Sequence, residues 1–207
     1  QAGLVKSNLP PLYPPLEGFR QTEPEEAIEQ LDELQAWRVT PSDERVPGLV
    51  LGIIVHKAIQ RWLFPGNPRL PSLLEMEAFN TGLATEKLRM QAIDRATELL
   101  ARLRQHPLWE EINTAQERYT ELPYTYLVES RMEYRVIDLL YRNTNGWQLL
   151  DFKTDPILTL PRKEELVRKY TPQVQRYKDV ISSKLDQPVQ GRMCFLDCQG
   201  KVELVEV

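Results

Sequence analysis

The chain has 207 residues, 42% hydrophobic and 27% charged, which is typical of a globular domain, and no apolar run approaches the ~20 residues of a membrane span. Its formal net charge of −4 argues against a protein that holds nucleic acid by bulk positive charge. Its two cysteines, Cys194 and Cys198, exclude a disulfide-rich scaffold and a four-cysteine zinc or iron–sulfur site within this chain.

The first 47 residues are predicted to be a linker followed by an acidic helical lead-in. Four prolines within residues 10–15 favour an extended, polyproline-like strap. Pro24 suits the first turn of a short helix over about 25–37, and residues 17–44 carry nine acidic side chains against two arginines. Because the chain begins Gln-Ala-Gly rather than with methionine, we expect it to be a fragment of a larger protein.

Residues 48–207 are predicted to form a single domain that begins with helices. The largely apolar run 49–64 is long enough for a buried helix, which Pro65 and the prolines after it would stop. Residues 83–105 have the apolar spacing of an amphipathic helix, and a further helical turn is expected after Pro107.

After the helices, the hydrophobic pattern changes to that of β-strands. Three segments rich in Tyr, Val, Ile, Leu and Trp are predicted to be strands: 116–127, 131–142 and 147–153. Asn143-Thr144-Asn145-Gly146 is a strong hairpin turn between the second and the third. Both faces of this hairpin are apolar near its middle, so we expect a central element covered on both sides, as in an α/β sandwich.

The C-terminal part is predicted to be a helix followed by strands. Thr171-Pro172 combines an N-cap residue with proline at the first helical position, which predicts a helix from there to about residue 184. Residues 189–197 and 201–207 are predicted to be closing strands around a turn at Gln199-Gly200. The predicted order is therefore helices, three strands, a helix and the closing strands.

The predicted hairpin carries three charged residues on one face: Asp138, Asp151 and Lys153. If Thr144-Asn145 forms the two-residue loop, Asp138 faces Asp151; if Asn145-Gly146 forms it, Asp138 faces Lys153. Directly opposed residues have Cβ atoms roughly 4.5–5.5 Å apart, and the rest of this face is apolar. The sequence leaves both registers open.

Two carboxylates opposed on an apolar face would raise the pKa of one of them unless a positive charge compensates. A divalent cation such as Mg²⁺ or Mn²⁺ compensates directly, because hard oxygen ligands at this separation suit it, and Lys153 adds a positive charge beside it. The alternative is structural: Asp151 and Lys153 form an ion pair, and Asp138 is solvated.

Five short motifs follow one another between residues 51 and 177. They are Leu51-Gly52-Ile53-Ile54-Val55-His56, Glu121-Leu122-Pro123-Tyr124, Asp138, Asp151-Phe152-Lys153-Thr154 and Tyr170-x-x-Gln173-x-x-x-Tyr177. They resemble the G-x-x-x-H, E-x-P-(F/Y), D, D-(Y/F)-K-(T/S) and Y-x-x-Q-x-x-x-Y motifs of the PD-(D/E)XK nuclease superfamily, specifically the RecB/AddA-type C-terminal nuclease domains of bacterial helicase–nucleases. The resemblance implies a restriction-endonuclease-like α/β core, a central mixed sheet with helices on both faces, preceded by a helical N-terminal part.

The resemblance also implies roles for individual residues. Asp138 and Asp151 would be the metal-binding carboxylates, joined by the backbone carbonyl of Phe152 and by the imidazole of His56. Lys153 would orient or help deprotonate the attacking water and stabilise negative charge on the scissile phosphate. Without the resemblance, a single histidine in an apolar helix is more often a core or boundary residue.

Three further residues are catalytic candidates by the same resemblance. Glu121 would be an additional acidic residue of the site, with Glu117 as the competing choice. Gln173 and Tyr177 are four residues apart on one helix face, where Gln173 would contact Lys153 or a DNA phosphate and Tyr177 would support it. The ordinary alternatives are a surface glutamate on an edge strand and a partly buried tyrosine with a polar neighbour.

A basic segment accompanies these motifs between residues 162 and 178. It holds six basic side chains against Glu164 and Glu165, and the six are Arg162, Lys163, Arg168, Lys169, Arg176 and Lys178. A charge run is usually a solvated face, but this one flanks the proposed site, and each phosphate that it neutralises adds to a salt-dependent affinity. We therefore predict that these side chains bind DNA.

The function that the resemblance implies is a metal-dependent deoxyribonuclease that uses Mg²⁺ or Mn²⁺ to cut a single DNA strand. Helicase domains of the parent protein and a partner subunit would deliver that strand during the processing of double-strand breaks in the bacterial cytoplasm. The chain would then come from the C-terminal end of the parent. No iron–sulfur cluster and no membrane contact are predicted, and because no G-x-x-x-x-G-K-(S/T) loop occurs, no ATP site is predicted in this chain.

One position departs from the family pattern, and two other functions stay open. Val136 stands where the family often has glycine, two residues before the first metal-binding aspartate. One alternative is therefore a catalytically weak or inactive DNA-binding or subunit-docking domain of the same fold. The other is a stand-alone, restriction-type endonuclease that acts on duplex sites.

Overall fold

The computed structural model describes residues 46–128 and 131–207 as four helices, three strands, a fifth helix and two closing strands. In chain order these are α1 (Gly48–Gln60), α2 (Leu70–Asn80), α3 (Glu86–Gln105), α4 (Pro107–Asn113), β1 (Glu117–Val128), β2 (Arg131–Asn143), β3 (Gly146–Lys153), α5 (Leu160–Leu185), β4 (Val189–Cys198) and β5 (Lys201–Glu206). The acidic helix predicted at 25–37 lies outside the described residues, and the predicted domain boundary before residue 48 stays a prediction.

The five strands form one mixed sheet in the order β1-β2-β3-β4-β5. Neighbouring strands are antiparallel except β3 and β4, which are parallel and are joined by α5 as a crossover helix. The predicted strand positions are confirmed to within about a residue at most ends, because alternating apolar residues and the turns between them mark strands well.

Two apolar cores cover the two faces of this sheet. Helices α1 to α4 pack on one face and α5 packs on the other, so the predicted layers on both sides are confirmed. The sheet residues of the first core are Leu139, Tyr141, Leu150, Phe152, Cys194 and Leu196, and those of the second include Ile137, Leu140, Leu149, Met193 and Phe195. Within the two described ranges, no helix is both long and apolar enough to cross a membrane.

The turn between β2 and β3 selects the first of the two predicted registers. Asn143 pairs with Gly146, and Thr144-Asn145 is the two-residue loop. The side chain of Asn143 accepts a hydrogen bond from the amide of Asn145 at 2.8 Å, and Gly146 has a φ of +102°, which glycine adopts without steric cost. This register places Asp138 across from Asp151.

Helix α1 ends four residues before its predicted end, at Gln60 rather than at residue 64. Trp62 takes a left-handed conformation, its amide donates to the carbonyl of Ile59, and the next amide, that of Leu63, donates to the carbonyl of Ala58. This is a Schellman-type helix end. The sequence prediction was wrong here because the motif normally uses glycine, whereas this chain has tryptophan at the left-handed position.

Helix α2 was not predicted, because the prolines at 65, 68 and 71 favour a loop. Pro71 lies in its first turn, where the missing amide hydrogen costs nothing. The helix is stabilised by a buried stripe that packs against α1 and α3 and consists of Leu70, Leu73, Leu74, Glu77 and Ala78.

Helix α5 begins at Leu160, not at Thr171 as predicted. The hydroxyl of Thr159 caps it by accepting a hydrogen bond from the amide of Arg162 at 3.4 Å. Pro172 therefore lies inside a 26-residue helix. The helix continues through the proline because its buried side chains, Leu166 before it and Val174 after it, both pack into the core on this face.

Candidate metal centre

The sheet divides at the position of the two predicted metal-binding aspartates. In the described part of the chain, β2 pairs with β3 from Asn143 only as far as Leu139, which lies opposite Leu150. Beyond that pair, β2 stays with β1, while β3 stays with β4 through Lys153. We call this gap between β2 and β3 the fork. Asp138 and Asp151 are the first residues on its two sides.

The alternation of side chains is interrupted on β2 at this point. Ile137 and Leu140 both belong to the core under α5, although residues three apart in a regular strand face opposite sides. Across from Asp138, Glu121 of β1 has a φ of +51°, which is strained for a residue other than glycine. The regular alternation on which the predicted shared face of Asp138, Asp151 and Lys153 rested is therefore interrupted at this point.

Asp138 contacts the side of the sheet on which α1 lies. Its Oδ1 is 3.2 Å from Nδ1 of His56, and its Oδ2 accepts a hydrogen bond from the amide of Phe152 at 2.7 Å. Burial by itself lowers the pKa of His56, but the Asp138 carboxylate outweighs it and raises the pKa to about 9. In turn, although burial acts the other way, His56 holds the pKa of Asp138 below its ordinary value.

A cluster of possible metal ligands forms where α1, β1 and β2 meet. One ligand atom each from His56, Glu121 and Asp138 lies within 4.8 Å of the others, and all three residues are half-buried. Burial, and then the charge of Asp138, raises the pKa of Glu121. Glu121 was assigned by resemblance to the site but not to the metal, whereas Asp151 was assigned to the metal and is not one of these three.

Asp151 and Lys153 form a buried ion pair on the other side of the fork. Nζ of Lys153 is 2.8 Å from Oδ2 of Asp151, which is only 2% exposed. Burial, helped by the charge of Asp138, raises the pKa of Asp151 despite this lysine. Burial would lower the pKa of Lys153, but the two aspartates raise it, so the ammonium is the stable form at neutral pH.

Side chains of helix α5 position the ammonium of Lys153. The ammonium donates to Oε1 of Gln173 at 3.1 Å, and the amide of Gln173 donates to the hydroxyl of Tyr177 at 2.6 Å. Tyr177 is buried and packs edge-on against Tyr124 of β1. The structure thus brings Gln173 to Lys153, as the resemblance implied, with Tyr177 behind it.

Two residues at the site were given no role by the sequence analysis. Nζ of Lys153 lies 3.9 Å from the centre of the Tyr170 ring, and the hydroxyl of Tyr170 is hydrogen-bonded to Asp155 at 3.2 Å. Tyr170 opens the last of the five motifs, so its place there was the available signal. Asp155 lies in the loop after β3, where no periodic pattern singles it out.

The glycine of the first motif lies close to the last residue of the fourth. A Cβ atom added to Gly52 would lie 3.4 Å from the hydroxyl of Thr154, so α1 crosses the end of β3 within the reach of one methyl group. His56 follows one helical turn later and faces the fork. The first and fourth motifs are therefore neighbours in the fold. The position of the Phe152 carbonyl as a metal ligand stays a prediction.

The six predicted DNA-binding side chains do not form one patch. Lys163 is paired with Glu203 of β5, and Lys178 donates to the backbone carbonyl of Val207 at 2.8 Å. These two are directed to the far edge of the sheet. Arg162 pairs with Glu165 on its own helix at 2.8 Å.

The other three lie at different distances from the fork. Lys169 is 5.2 Å from the centre of the Tyr170 ring, which Lys153 also contacts. Arg176 donates to the hydroxyl of Tyr126 on β1 at 2.7 Å, and Arg168 is exposed. Lys169 and Arg176 therefore flank the site, whereas the contacts of Lys163 and Lys178 direct them away from it.

Glu111 and Arg192 form a charged pair that lies outside this site. They are paired at 2.9 Å near the β2–β3 turn, at the opposite end of the sheet from the fork. Glu117, the competing choice for Glu121, pairs with Arg142 at 3.4 Å and lies near that same end. The geometry therefore favours Glu121 as the glutamate of the site.

Comparison with known protein families matches residues 26–207 to the PD-(D/E)XK nuclease superfamily. A curated protein from Heliobacterium modesticaldum (strain ATCC 51547 / Ice1), named as the A subunit of an ATP-dependent helicase/nuclease, is 26% identical over 190 residues, which are 79% of this chain and 13% of that protein. A protein of the same name from Lachnoclostridium phytofermentans (strain ATCC 700394 / DSM 18823 / ISDg) is 32% identical over 66 residues, 32% of this chain and 5% of that protein. The chain thus spans a small part of the length of these relatives.

A solved structure has a similar fold. The crystal structure of a protein from Eubacterium rectale, described as a candidate exonuclease, superposes with a TM-score of 0.53 over 86% of this chain and 65% of that chain. The two sequences are 13% identical, so the likeness concerns the fold alone.

Proposed function

We propose that this chain, which belongs to the PD-(D/E)XK nuclease superfamily, is a metal-dependent nuclease domain that hydrolyses phosphodiester bonds in DNA. The observation that carries the proposal is the fork, where His56, Glu121 and Asp138 converge opposite the buried pair of Asp151 and Lys153. The raised pKa values of Glu121 and Asp151 mark carboxylates whose charge is incompletely compensated, an environment that suits a divalent cation.

In this proposal His56, Asp138 and Asp151, with the carbonyl of Phe152, hold Mg²⁺ or Mn²⁺, and Glu121 completes the acidic surroundings. An ion bound there supplies a Lewis acid that activates water and neutralises charge on the phosphate. Asp138 keeps its orientation because one oxygen accepts the amide hydrogen of Phe152. The carboxylate and carbonyl oxygens suit both Mg²⁺ and Mn²⁺.

Lys153 acts through its positive charge. Because its pKa is raised, it is an ammonium at neutral pH and stabilises the negative charge that develops on the scissile phosphate, rather than removing a proton from water. Asp151 and Gln173 hold the ammonium between them at 2.8 and 3.1 Å. Gln173 in turn is held by Tyr177.

The test is cleavage of labelled linear single-stranded DNA in Mg²⁺ or Mn²⁺. We expect wild type to cleave and Lys153→Ala to lose at least about a hundredfold in kcat, because the charge on the phosphate is no longer met by a preorganised cation. Lys184→Ala, which removes an exposed lysine near the end of α5, is the control and keeps wild-type activity. Undiminished cleavage by Lys153→Ala contradicts the mechanism.

The substrate and the context are part of the same proposal. The chain acts on single strands that helicase domains of its parent protein and a partner subunit deliver, during break repair in the bacterial cytoplasm. The support is the helicase/nuclease name that the two relatives share, and the small fraction of their length that this chain covers. Cutting at fixed duplex positions, with single strands left intact, would instead favour a restriction-type endonuclease.

A further inference from the structure

Beyond the fork, β1 and β2 continue as a two-stranded ribbon, which we define as residues 122–128 and 131–137. One face of this ribbon is covered by α5. Tyr124 and Ile137 belong to the core under that helix, and the ring of Tyr126 lies under the guanidinium of Arg176. Packing within the domain therefore accounts for this face.

The opposite face of the ribbon carries an apolar stripe on β2 that is exposed. Met132 is 43% exposed, Tyr134 is 46% exposed and Val136 is half-buried. Tyr134 pairs with Thr125 of β1, a small neighbour that leaves the tyrosine ring accessible. Contiguous apolar surface of this kind, when it borders a functional site, is a candidate for binding a ligand.

The stripe leads to the metal centre. Alternation places Met132, Tyr134 and Val136 on the face away from α5, which is the face on which Asp138 meets His56. Asp138 is the next residue of the same series. At the rise of a β-strand, Tyr134 lies about 13 Å from Asp138. About two nucleotides of an extended DNA strand span that distance.

We propose that this stripe is a stacking surface for the bases of a single DNA strand whose phosphate reaches the metal centre. The inference rests on the proposed function and names the part of the substrate that the ribbon recognises. Stacking on tyrosine is tolerant of sequence because every base has a flat π-face. Bases of a duplex are already stacked within the helix, so the stripe selects single strands.

Continuity with the site favours a DNA strand as the occupant. A DNA strand whose phosphate lies between Asp138 and Lys153 must leave the fork along β2 or along β3. The ribbon forms the β2 side. On the β3 side, Gln173 and Tyr170 of α5 already contact Lys153. The α5 face of the ribbon is filled by aromatic side chains of β1, which leaves the stripe as the apolar path.

The first experiment measures binding of a fluorescent single-stranded oligonucleotide in Ca²⁺, without Mg²⁺ or Mn²⁺, by anisotropy. We expect Tyr134→Ala to raise the Kd about tenfold, within the range measured for single stacked bases. Tyr134→Phe keeps the ring and is expected to bind like wild type. Phe79→Ala is the matched control, because Phe79 is an aromatic residue of α2 that is 72% exposed and lies outside the ribbon.

The second experiment separates stacking from other roles of the ring. In Mg²⁺, Tyr134→Ala is expected to raise KM about tenfold and to leave kcat unchanged, because Tyr134 does not touch the reacting atoms. An oligonucleotide with several adjacent abasic sites is expected to bind wild type as weakly as it binds Tyr134→Ala, since the base that stacks is gone. Binding of a blunt duplex is expected to be unchanged by the substitution.

The outcomes distinguish the proposed function from the stacking surface. If wild type neither binds nor cleaves any DNA, the proposed function fails and the stripe fails with it. If wild type cleaves single strands but Tyr134→Ala binds them as tightly, the proposed function stands and the stacking surface is overturned. An equal loss for single strands and duplexes also overturns it. The melting temperature of each variant checks that it is folded.

Discussion

The two carboxylate oxygens of Asp138 connect its own strand, β2, to α1 and to β3. One oxygen faces His56 of α1, and the other accepts the amide hydrogen of Phe152 on β3. A buried carboxylate without such partners would be neutral, but the charge of His56 outweighs the cost of burial and lowers the pKa of Asp138. The fold therefore pairs an ionised Asp138 with a protonated His56, and a metal ion held by both side chains would displace the histidine proton.

Metal binding by single residues distinguishes a nuclease active site from a docking domain of the same fold. We expect wild type to bind Mn²⁺ in isothermal titration, and Asp138→Ala to bind it at least about tenfold more weakly, since even groups that only support a ligand contribute that much. Asp138→Asn keeps an oxygen for the Phe152 amide but lacks the charge, so it tests the charge alone.

The control is Asp94→Ala, which removes an exposed aspartate of α3 and is expected to bind Mn²⁺ like wild type. If wild type fails to bind Mn²⁺, or if Asp138→Ala binds it equally well, the docking-domain alternative replaces the nuclease proposal.

Helix α5 shows how an element can override a local signal. Thr-Pro at 171–172 is a strong helix start by itself, yet the structure uses it as a helix interior. Pro172 cannot donate to the carbonyl of Arg168 one turn earlier, and the hydroxyl of Thr171 bonds to a different carbonyl, that of Val167, at 2.8 Å. Burial of the helix face on both sides of the proline offsets the lost hydrogen bond.

We therefore expect Pro172→Ala to stabilise the domain. Pro172 is exposed, and alanine restores the backbone hydrogen bond, so the free energy of unfolding should rise by about 1–3 kcal/mol in urea titration. Ser183→Ala, at an exposed position of the same helix, is expected to change it by less than about 0.5 kcal/mol. A lower stability of Pro172→Ala would mean that the ring itself holds the helix in place.

Across the whole molecule, the carboxylate of Glu111 ties the helical layer to the sheet at the end opposite the fork. It accepts hydrogen bonds from Tyr141 of β2 at 2.6 Å, from Asn143 at 2.9 Å and from Arg192 of β4 at 2.9 Å. Burial by itself raises the pKa of Glu111, but these donors outweigh it and hold the pKa below its ordinary value. The link is therefore strongest when Glu111 is ionised.

This link predicts a pH dependence of stability. A carboxyl whose pKa is lower in the folded state stabilises the fold above its unfolded pKa and loses that contribution as the pH falls through the folded pKa. We expect Glu111→Gln to lower the free energy of unfolding at pH 7 by about 1–2 kcal/mol, toward the lower end for charged hydrogen bonds because the side chain is 33% exposed.

The difference between wild type and Glu111→Gln should shrink as the pH is lowered below the ordinary carboxyl value of 4.5. Urea titrations at a series of pH values measure it. Glu110→Gln, an exposed neighbour on α4, is the control and is expected to follow wild type throughout. A constant difference from pH 7 down to the acid limit would contradict the assignment.

Most strands and the hairpin loop were predictable because their signals are local. Alternating apolar residues mark β2 and β3, and the Asn143–Gly146 segment marks the turn between them. The failures also have local causes. Trp62 ends α1 in a conformation that glycine usually takes, Pro71 suggested a loop at the start of α2, and Thr171-Pro172 suggested a helix start inside α5.

The sequence by itself determined which residue types are available to the site and in what order they occur. His56, Asp138, Lys153 and Gln173 lie in motifs whose spacing resembles one nuclease family, and the structure brings them to the fork. Only the tertiary structure decided that β2 and β3 separate there, that Glu121 joins His56 and Asp138, and that basic residues of one helix point to different edges. The physical reason is distance along the chain: His56 and Asp138 are 82 residues apart, so packing of α1 across the sheet, rather than any local pattern, brings them together.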